Sequence, residues 1–297
     1  MKKLLFVFNP KAGKGKVRAN LVEIFNIFIK AGYHTEVYPT KTPLDGKEYV
    51  IKYGRDYDLI VCAGGDGTLN EVSTAIFESR WNAPLGYIPT GSTNDFACSI
   101  NLSKDILEAA NTAVNGKECR VDMGNFDKRT FIYIAAFGAF TDIAYTTSQG
   151  LKNILGHQAY LLEGAKKLAS IKSYKFQVTW DDGENSNTIE DNFIYGMVSN
   201  SKSVGGFSGI TGKDVKLDDG YYEVTLIKKV RNPLDLKDIV MFLLGNDIKS
   251  DIIVTFKANE IKFKSENIVH WTLDGEFGGG YKEVEIENVP RALAVMM

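Results

Sequence analysis

The stretch DLIVCAGGDGTLNEVSTAIF, residues 58–77, decides the fold. Asp58–Ala63 reads as a buried strand, and Asn70–Phe77 reads as a helix with Val72, Ala75 and Ile76 at helical spacing. Between them lies the turn Gly64, Gly65, Asp66, Gly67, Thr68, Leu69. A glycine-rich turn from strand to helix lets backbone N–H groups approach a ligand closely. It also aims a helix N-terminus at that ligand, which favours phosphate. The Asp66 carboxylate does not suit a bare phosphate, but it suits magnesium or a basic partner sharing that phosphate. The turn therefore points to metal-assisted phosphoryl chemistry. The plainer reading is a tight strand–helix turn with an aspartate cap.

Two other segments repeat the arrangement. The apolar strand Lys2–Phe8 runs into Asn9, Pro10, Lys11, Ala12, Gly13, Lys14, Gly15 and Lys16. A helical pattern follows with Val17, Leu21, Ile24, Phe25 and Phe28 on one face. This is not a Walker A loop, since GxxxxGK[ST] is absent, and lysines in a glycine loop also serve simply to keep a turn soluble. The third copy follows Pro84–Pro89 and contains Thr90, Gly91, Ser92, Thr93, Asn94 and Asp95. Three polar loops after three parallel strands would open at one sheet edge, where ligands of open α/β sheets bind.

Up to about residue 122, strand and helix patterns alternate: 3–8, 17–31, 34–39, 44–55, 58–63, 68–79, 84–88 and 103–115. Alternation of this kind predicts a parallel sheet covered on both faces. Afterwards strand patterns dominate, at residues 131–135, 174–180, 193–198, 221–227, 251–256, 260–264 and 282–286. Three of these alternate apolar with polar, as half-solvated antiparallel strands do. One helical stretch, roughly 141–170, carries Leu151, Ile154, Leu155 and Leu161 with Lys152, Lys166 and Lys167. It suits either an anionic membrane surface or an ordinary helix with a solvated lysine face. The apolar run starting at Asp238 has the length of a core helix or strand.

With 297 residues, 44% of them hydrophobic, the chain can bury a sizeable core in two domains. A net charge of −2 argues against a nucleic-acid footprint. Cys62, Cys98 and Cys119 show neither CxxC nor metal-ligand spacing, and His34, His157 and His270 form no zinc or catalytic pattern. A bilayer-spanning helix needs about 18 apolar residues, and no segment approaches that. The expectation is a cytoplasmic protein.

The set NPKAGKGK, GGDGTLNEV and PTGSTNDFA, in this order, resembles the diacylglycerol kinase catalytic-domain family in its soluble bacterial lipid-kinase branch. Sphingosine kinases are related, and NAD kinases more distantly. The resemblance implies an N-terminal α/β, Rossmann-like domain over 1–122 plus about 287–297, with the apolar tail Ala292–Met297 returning to it. It further implies an antiparallel β-sandwich over 123–286 that handles a lipid substrate. The implied activity is transfer of the γ-phosphate of ATP, with Mg2+, to a lipid hydroxyl, diacylglycerol first among them. Such an enzyme would collect its lipid at the inner face of the membrane by peripheral contact, and exposed sandwich edges would suit a homodimer. An NAD kinase and a non-catalytic nucleotide-binding relative are the alternatives.

Residue roles follow from the same resemblance. It implies nucleotide contacts from Asn9, Pro10, Lys11, Ala12, Gly13, Lys14, Thr40, Gly64, Gly65, Asp66, Gly67, Thr68, Leu69 and Asn70, with Glu71 and Ser92 as weaker candidates. Asp66 would hold the catalytic Mg2+, and Asp95 and Asp122 would belong to the same acidic network. The segment Leu273-Asp274-Gly275-Glu276 matches the family's acidic motif, with Asp274 or Glu276 as general base. Read without the family, it is an Asp-Gly hairpin turn. Lys216, Asp219 and Tyr221 match a structural magnesium site built from one carboxylate and two backbone carbonyls; an Asp-Gly turn is the alternative. Cys98 departs from the family's frequent arginine, and Ser92 from a more usual threonine.

Overall fold

Short apolar runs become central strands here because both of their faces are covered. The computed structural model describes residues 1–139, 171–183, 185–205, 207–208, 211–212, 214–243 and 245–297. The helical stretch expected at about 141–170 lies outside the described residues. The chain divides into two units, Met1–Met123 with Val289–Met297, and Gly124–Asn288.

In the first unit the order is β1 (Lys2–Phe8), α1 (Lys16–Ala19), α2 (Leu21–Lys30), β2 (Tyr33–Pro39), α3 (Asp45–Tyr53) and β3 (Leu59–Gly64). Then come α4 (Asp66–Ser79), β4 (Leu85–Pro89), α5 (Asp95–Ser99), α6 (Ile106–Asn115) and β5 (Glu118–Phe126), whose last residues belong to the second unit. β4, β3, β1 and β2 lie side by side in that order, all parallel. Leu4–Val7, Leu59–Ala63 and Leu85 with Tyr87 and Ile88 are buried, as parallel strands covered on both faces must be. β2, at the sheet edge, alternates between half-buried and exposed positions. The C-terminal tail joins in parallel beside β4, pairing Val295 with Leu85, and buries Leu293, Ala294 and Val295. Its last residue exchanges backbone hydrogen bonds with Lys117 at 2.8 and 2.9 Å.

Two local features depart from the sequence pattern. The single helix expected over 17–31 is divided at Asn20 into α1 and α2. α5 spans only five residues, too few for a helical period to register in the sequence.

The second unit continues with β6 (Arg129–Phe131), β7 (Ile134–Gly138), β8 (Tyr174–Asp181), β9 (Ser186–Ser199) and the short pair β10 (Ser203–Val204) and β11 (Phe207–Ser208). β12 (Tyr222–Lys228), α7 (Pro233–Leu243), β13 (Ile253–Ala258), β14 (Glu260–Leu273) and β15 (Glu276–Met296) complete it, the end of β15 supplying the tail strand of the first unit. Its strand pairs are antiparallel. β9 and β14 are each 14 residues long and pair with β8 along one half and β7 along the other, which builds the antiparallel β-sandwich. Trp271 sits in its core, with ring centroids 5.2 Å from Phe126, 4.8 Å from Phe137 and 5.0 Å from Phe263. The run from Asp238, of a length that suits a core helix or strand, lies in α7 and is helical. β14 extends well past the expected 260–264. Register shifts at Lys264/Val269 and Trp271/Thr272 break its alternation, so periodicity alone stops too early.

Candidate functional site

Strand register creates the first candidate site. Phe8 pairs with both Pro39 and Ala63, and Gly64 pairs with Pro89, so the strands end almost level. Asn9, Thr40, Gly65 and Thr90 therefore leave the sheet along one edge. The Asn9 N–H donates to Ala63 O at 3.0 Å, Thr40 N–H to Phe8 O at 2.9 Å, and Thr90 N–H to Gly64 O at 2.8 Å.

Beyond that edge, three loops approach one another backbone to backbone. A methyl group on Gly91 would stand 2.7 Å from Gly65 Cα and 2.8 Å from Asn94 Oδ1. One on Gly13, whose φ is +58°, would stand 2.8 Å from the Thr90 carbonyl oxygen. Gly64 is glycine for a nearer reason: a side chain there would collide with Thr68. Asn94, with φ +54°, locks the assembly. Its Oδ1 accepts from Gly91 N–H at 2.8 Å, its Nδ2 donates to Gly91 O at 2.9 Å, and its own N–H donates to Asp66 Oδ2 at 3.1 Å. Asn94 was absent from the sequence-based site. The αL-tolerant asparagine closing a Thr-Gly-Ser-Thr loop was the available signal.

The structure gathers Gly13, Gly65, Asp66, Gly91 and Asn94 at this meeting point. Asn9, Pro10, Ala12, Thr40, Gly67, Thr68 and Asn70 are partly accessible around the same loops, Lys11 and Ser92 are exposed, and Leu69 is buried. Lys14 lies in the 3-10 turn Ala12–Gly15. α4 starts at Asp66 without a side-chain cap. The Asp66 carboxylate in its first turn offsets part of the positive helix end, so the glycine loops suit an anion best where a cation shares it. Asp95 and Asp122 are buried, and Asp122 Oδ1 accepts the Arg291 N–H of the C-terminal tail at 2.7 Å.

Glu71 faces elsewhere. Its carboxylate accepts the Leu44 N–H at 2.8 Å, and the Gly46 and Lys47 amides also hydrogen-bond to it. It thus caps the start of α3, and burial holds its pKa above the usual carboxylate value. Glu71→Ala should cost about 1–2 kcal/mol, the value of a lost N-terminal cap. Urea denaturation of the two proteins would check this, with Glu71→Gln expected to lose much less.

The second candidate site is the turn between β14 and β15. Leu273 pairs with Glu276, and the two residues between them, Asp274 and Gly275, have φ of +50° and +84°. These are the left-handed conformations that a two-residue type I′ hairpin turn demands. The segment is thus a hairpin turn that also carries acids. Asp274 is 2% exposed, and its carboxylate accepts N–H bonds from Ile132 at 2.8 Å, Tyr133 at 3.0 Å and Ile134 at 3.1 Å. Glu276 is exposed.

The third lies in the loop before β12. Asp219 Oδ1 accepts the Tyr221 N–H at 3.1 Å, and Lys216 is exposed on the same loop. Lys257 Nζ lies 3.4 Å from Asp219 Oδ2 and 3.0 Å from Glu223 Oε1. Glu223 is 7% exposed, and burial raises its pKa to about 7. Its Oε2 has no hydrogen-bond partner among the described residues. Two carboxylates thus face one ammonium, an oxygen-rich, net acidic setting that fits a hard cation. Asp219-Gly220 is not a hairpin turn, because β12 pairs with β9 and β13. Among the described residues, no cluster of three or more His, Cys, Asp or Glu side chains is spaced to hold a metal.

A glycine-rich loop cluster at the carboxyl edge of a parallel sheet, on a chain completed by an antiparallel β-sandwich, defines a two-domain α/β–β-sandwich protein of the kind that handles phosphate at that edge. Residues 3–126 match the diacylglycerol kinase catalytic domain, and 139–297 match the YegS C-terminal NAD kinase beta sandwich-like domain. The chain belongs to the diacylglycerol kinase catalytic-domain family. It is 32% identical to a diacylglycerol kinase of Bacillus subtilis (strain 168), across 100% of this chain and 97% of the relative. It is 33% identical to one of Staphylococcus epidermidis, across 94% and 87%. A solved structure described as a diacylglycerol kinase from Bacillus anthracis str. Sterne shares the fold, with a TM-score of 0.77 at 22% identity over 99% of this chain and 96% of that one. A second chain from that organism superposes with a TM-score of 0.82 at 24% identity, over 99% and 97%.

Proposed function

We propose that this chain transfers the γ-phosphate of ATP to the hydroxyl of a membrane lipid, diacylglycerol being the first acceptor, to give phosphatidic acid. The observation that carries this reading is the loop cluster, where Gly13 meets Thr90 and Gly65 meets Gly91 with no room for a side chain. Packing this close gathers the loops after three parallel strands and the start of α4 at one place, and phosphoryl transfer needs chiefly positioning and charge neutralisation. Lys11 is exposed beside the glycines as a cation, and Lys14 belongs to the same loop sequence. The names of the full-length relatives favour a lipid over NAD as acceptor.

Glu276 is the general base. It is exposed, as a group that meets a substrate hydroxyl must be, and Phe277, 53% exposed, places apolar surface next to it. The Asp66 carboxylate, at the start of α4 beside the glycine loops, fits a magnesium ion shared with the nucleotide, and the Asp219 loop fits a structural one. Magnesium, when bound, would neutralise phosphate charge at the first position and brace the loop at the second. No helix among the described residues is long and apolar enough to cross a membrane, so the lipid would be met at the membrane surface by peripheral contact.

Two measurements test these assignments. γ-Labelled ATP, Mg2+ and mixed micelles of diacylglycerol should yield organic-extractable label. Label only in a product that binds NADP-dependent enzymes would make the chain an NAD kinase, and ATP binding without label in either would make it a non-catalytic relative. For the structural ion, moving the wild-type protein from EDTA into millimolar Mg2+ should raise Tm by about 3 °C, with a much smaller rise in Asp219→Ala. Equal rises in both would remove Asp219 from the ion's binding set.

A further inference from the structure

We infer that Asp274 is a positioning residue: its buried carboxylate pins the β14–β15 turn to the Ile132–Ile134 backbone and thereby fixes where the Glu276 carboxylate stands. This rests on the reading of Glu276 as base.

Three observations carry it. First, the Asp274 carboxylate is already committed. Three consecutive backbone N–H groups donate to it at 2.8–3.1 Å, and the residue is 2% exposed. A base must come within about 3.2 Å of the proton it removes. A carboxylate enclosed by three amides has no such access, whereas Glu276, two residues on, has it.

Second, the connection between the two acids is stiff. Asp274 and Gly275 both occupy the left-handed region, the Asp274 N–H donates to Ile134 O at 2.9 Å, and Leu273 is paired with Glu276. On the far side, Arg129 Nη1 donates to the carbonyl oxygens of Phe277 at 3.3 Å and Gly278 at 2.7 Å. The backbone of Glu276 is held before and after by bonds to the same strand region, residues 129–134.

Third, the choice of aspartate has a specific cause. Asparagine tolerates positive φ equally well and is common in this turn type. It offers one acceptor oxygen, however, and these three amides use both carboxylate oxygens: Oδ2 takes Ile132, and Oδ1 takes Tyr133 and Ile134. The residue is matched to the clamp rather than to the turn alone.

The test compares turnover in wild type, Asp274→Asn, Glu276→Gln, the double variant and Gly275→Ala, together with amide hydrogen exchange at residues 132–134. Glu276→Gln should lower kcat by about 10²–10⁴-fold and leave the exchange unchanged. Asp274→Asn should lower kcat by about 10–100-fold, the effect of a displaced base, with KM for ATP unchanged and exchange at 132–134 accelerated. Because Asp274 acts through Glu276, the double variant should be no slower than Glu276→Gln alone. Losses that multiply in the double variant would overturn the proposal, as would lost turnover in Asp274→Asn with exchange unaltered. Should Asp274→Asn fail to fold, Gly275→Ala remains. It keeps both carboxylates, has among the described residues only Tyr133 Oη within 4 Å of the added methyl, at 3.9 Å, and strains the turn through its φ of +84°. About a tenfold loss of kcat is expected there, and wild-type kcat would overturn the proposal. A wild-type protein that transfers no phosphate to lipid would instead sink the kinase reading, and this proposal with it.

Discussion

Asp274→Ala is expected to destabilise the second unit by about 3–6 kcal/mol, while Glu276→Ala, two residues away, changes stability by no more than about 0.5 kcal/mol. Truncation at 274 strips the acceptors from the N–H groups of Ile132, Tyr133 and Ile134 in a place water does not reach. Each buried amide left without a partner costs about 1–3 kcal/mol, and a domain has only about 5–15 kcal/mol in total. The variant should therefore sit near the edge of unfolding. The alanine also inherits a φ of +50° that only the turn context makes tolerable. Glu276 is exposed, so its removal leaves the core untouched. Urea denaturation followed by tryptophan fluorescence, with Trp271 in the sandwich core, would separate the two variants. Equal midpoints would mean that the carboxylate clamp contributes nothing.

Gly91→Ala and Gly13→Ala should each raise the KM for ATP by about 10–100-fold. The added methyl at 91 must push away Gly65 Cα or the Asn94 amide, and the one at 13 meets the Thr90 carbonyl. Backbone cannot rotate aside as a flexible side chain can, so the loops must separate. Overpacking of this kind costs about 1–3 kcal/mol, which corresponds to that range of affinity if the strain is relieved by opening the phosphate cradle. Gly15→Ala is the control. Gly15 also has positive φ, +80°, but nothing among the described residues lies within 4 Å of an added methyl, so conformational strain is the effect that applies. Its KM should rise severalfold less than that of the other two. Similar KM values for ATP in all four proteins would place the nucleotide away from these loops.

Much of this fold was legible because its first half obeys simple rules. Central parallel strands are short apolar runs, and the glycine loops after β1 and β3 fall where the strands end. What escaped notice was either too short or too long for periodicity. α5 lacks enough residues to show a period, and β14 hides its full length behind two register shifts. The site followed the same division. Residue types in the loops were readable, whereas their partners were not, since Asp122 meets Arg291 across 169 positions of sequence and Asp274 meets Ile132 across 142. Glu71 shows the cost of proximity in sequence. It sits at the end of the GGDGTLNE segment, yet the helix geometry turns its carboxylate toward α3. Only the structure distinguishes the committed Asp274 from the exposed Glu276, because as acids in one turn they look alike.

The most direct test of the central claim is the incubation of wild type and Glu276→Gln with γ-labelled ATP, Mg2+ and diacylglycerol micelles. Organic-phase label from the wild type, reduced at least about 100-fold in Glu276→Gln with both proteins equally folded, is the predicted result. Wild-type label undiminished in Glu276→Gln would contradict the assignment of the base, and no organic-phase label from the wild type would contradict the lipid kinase reading itself.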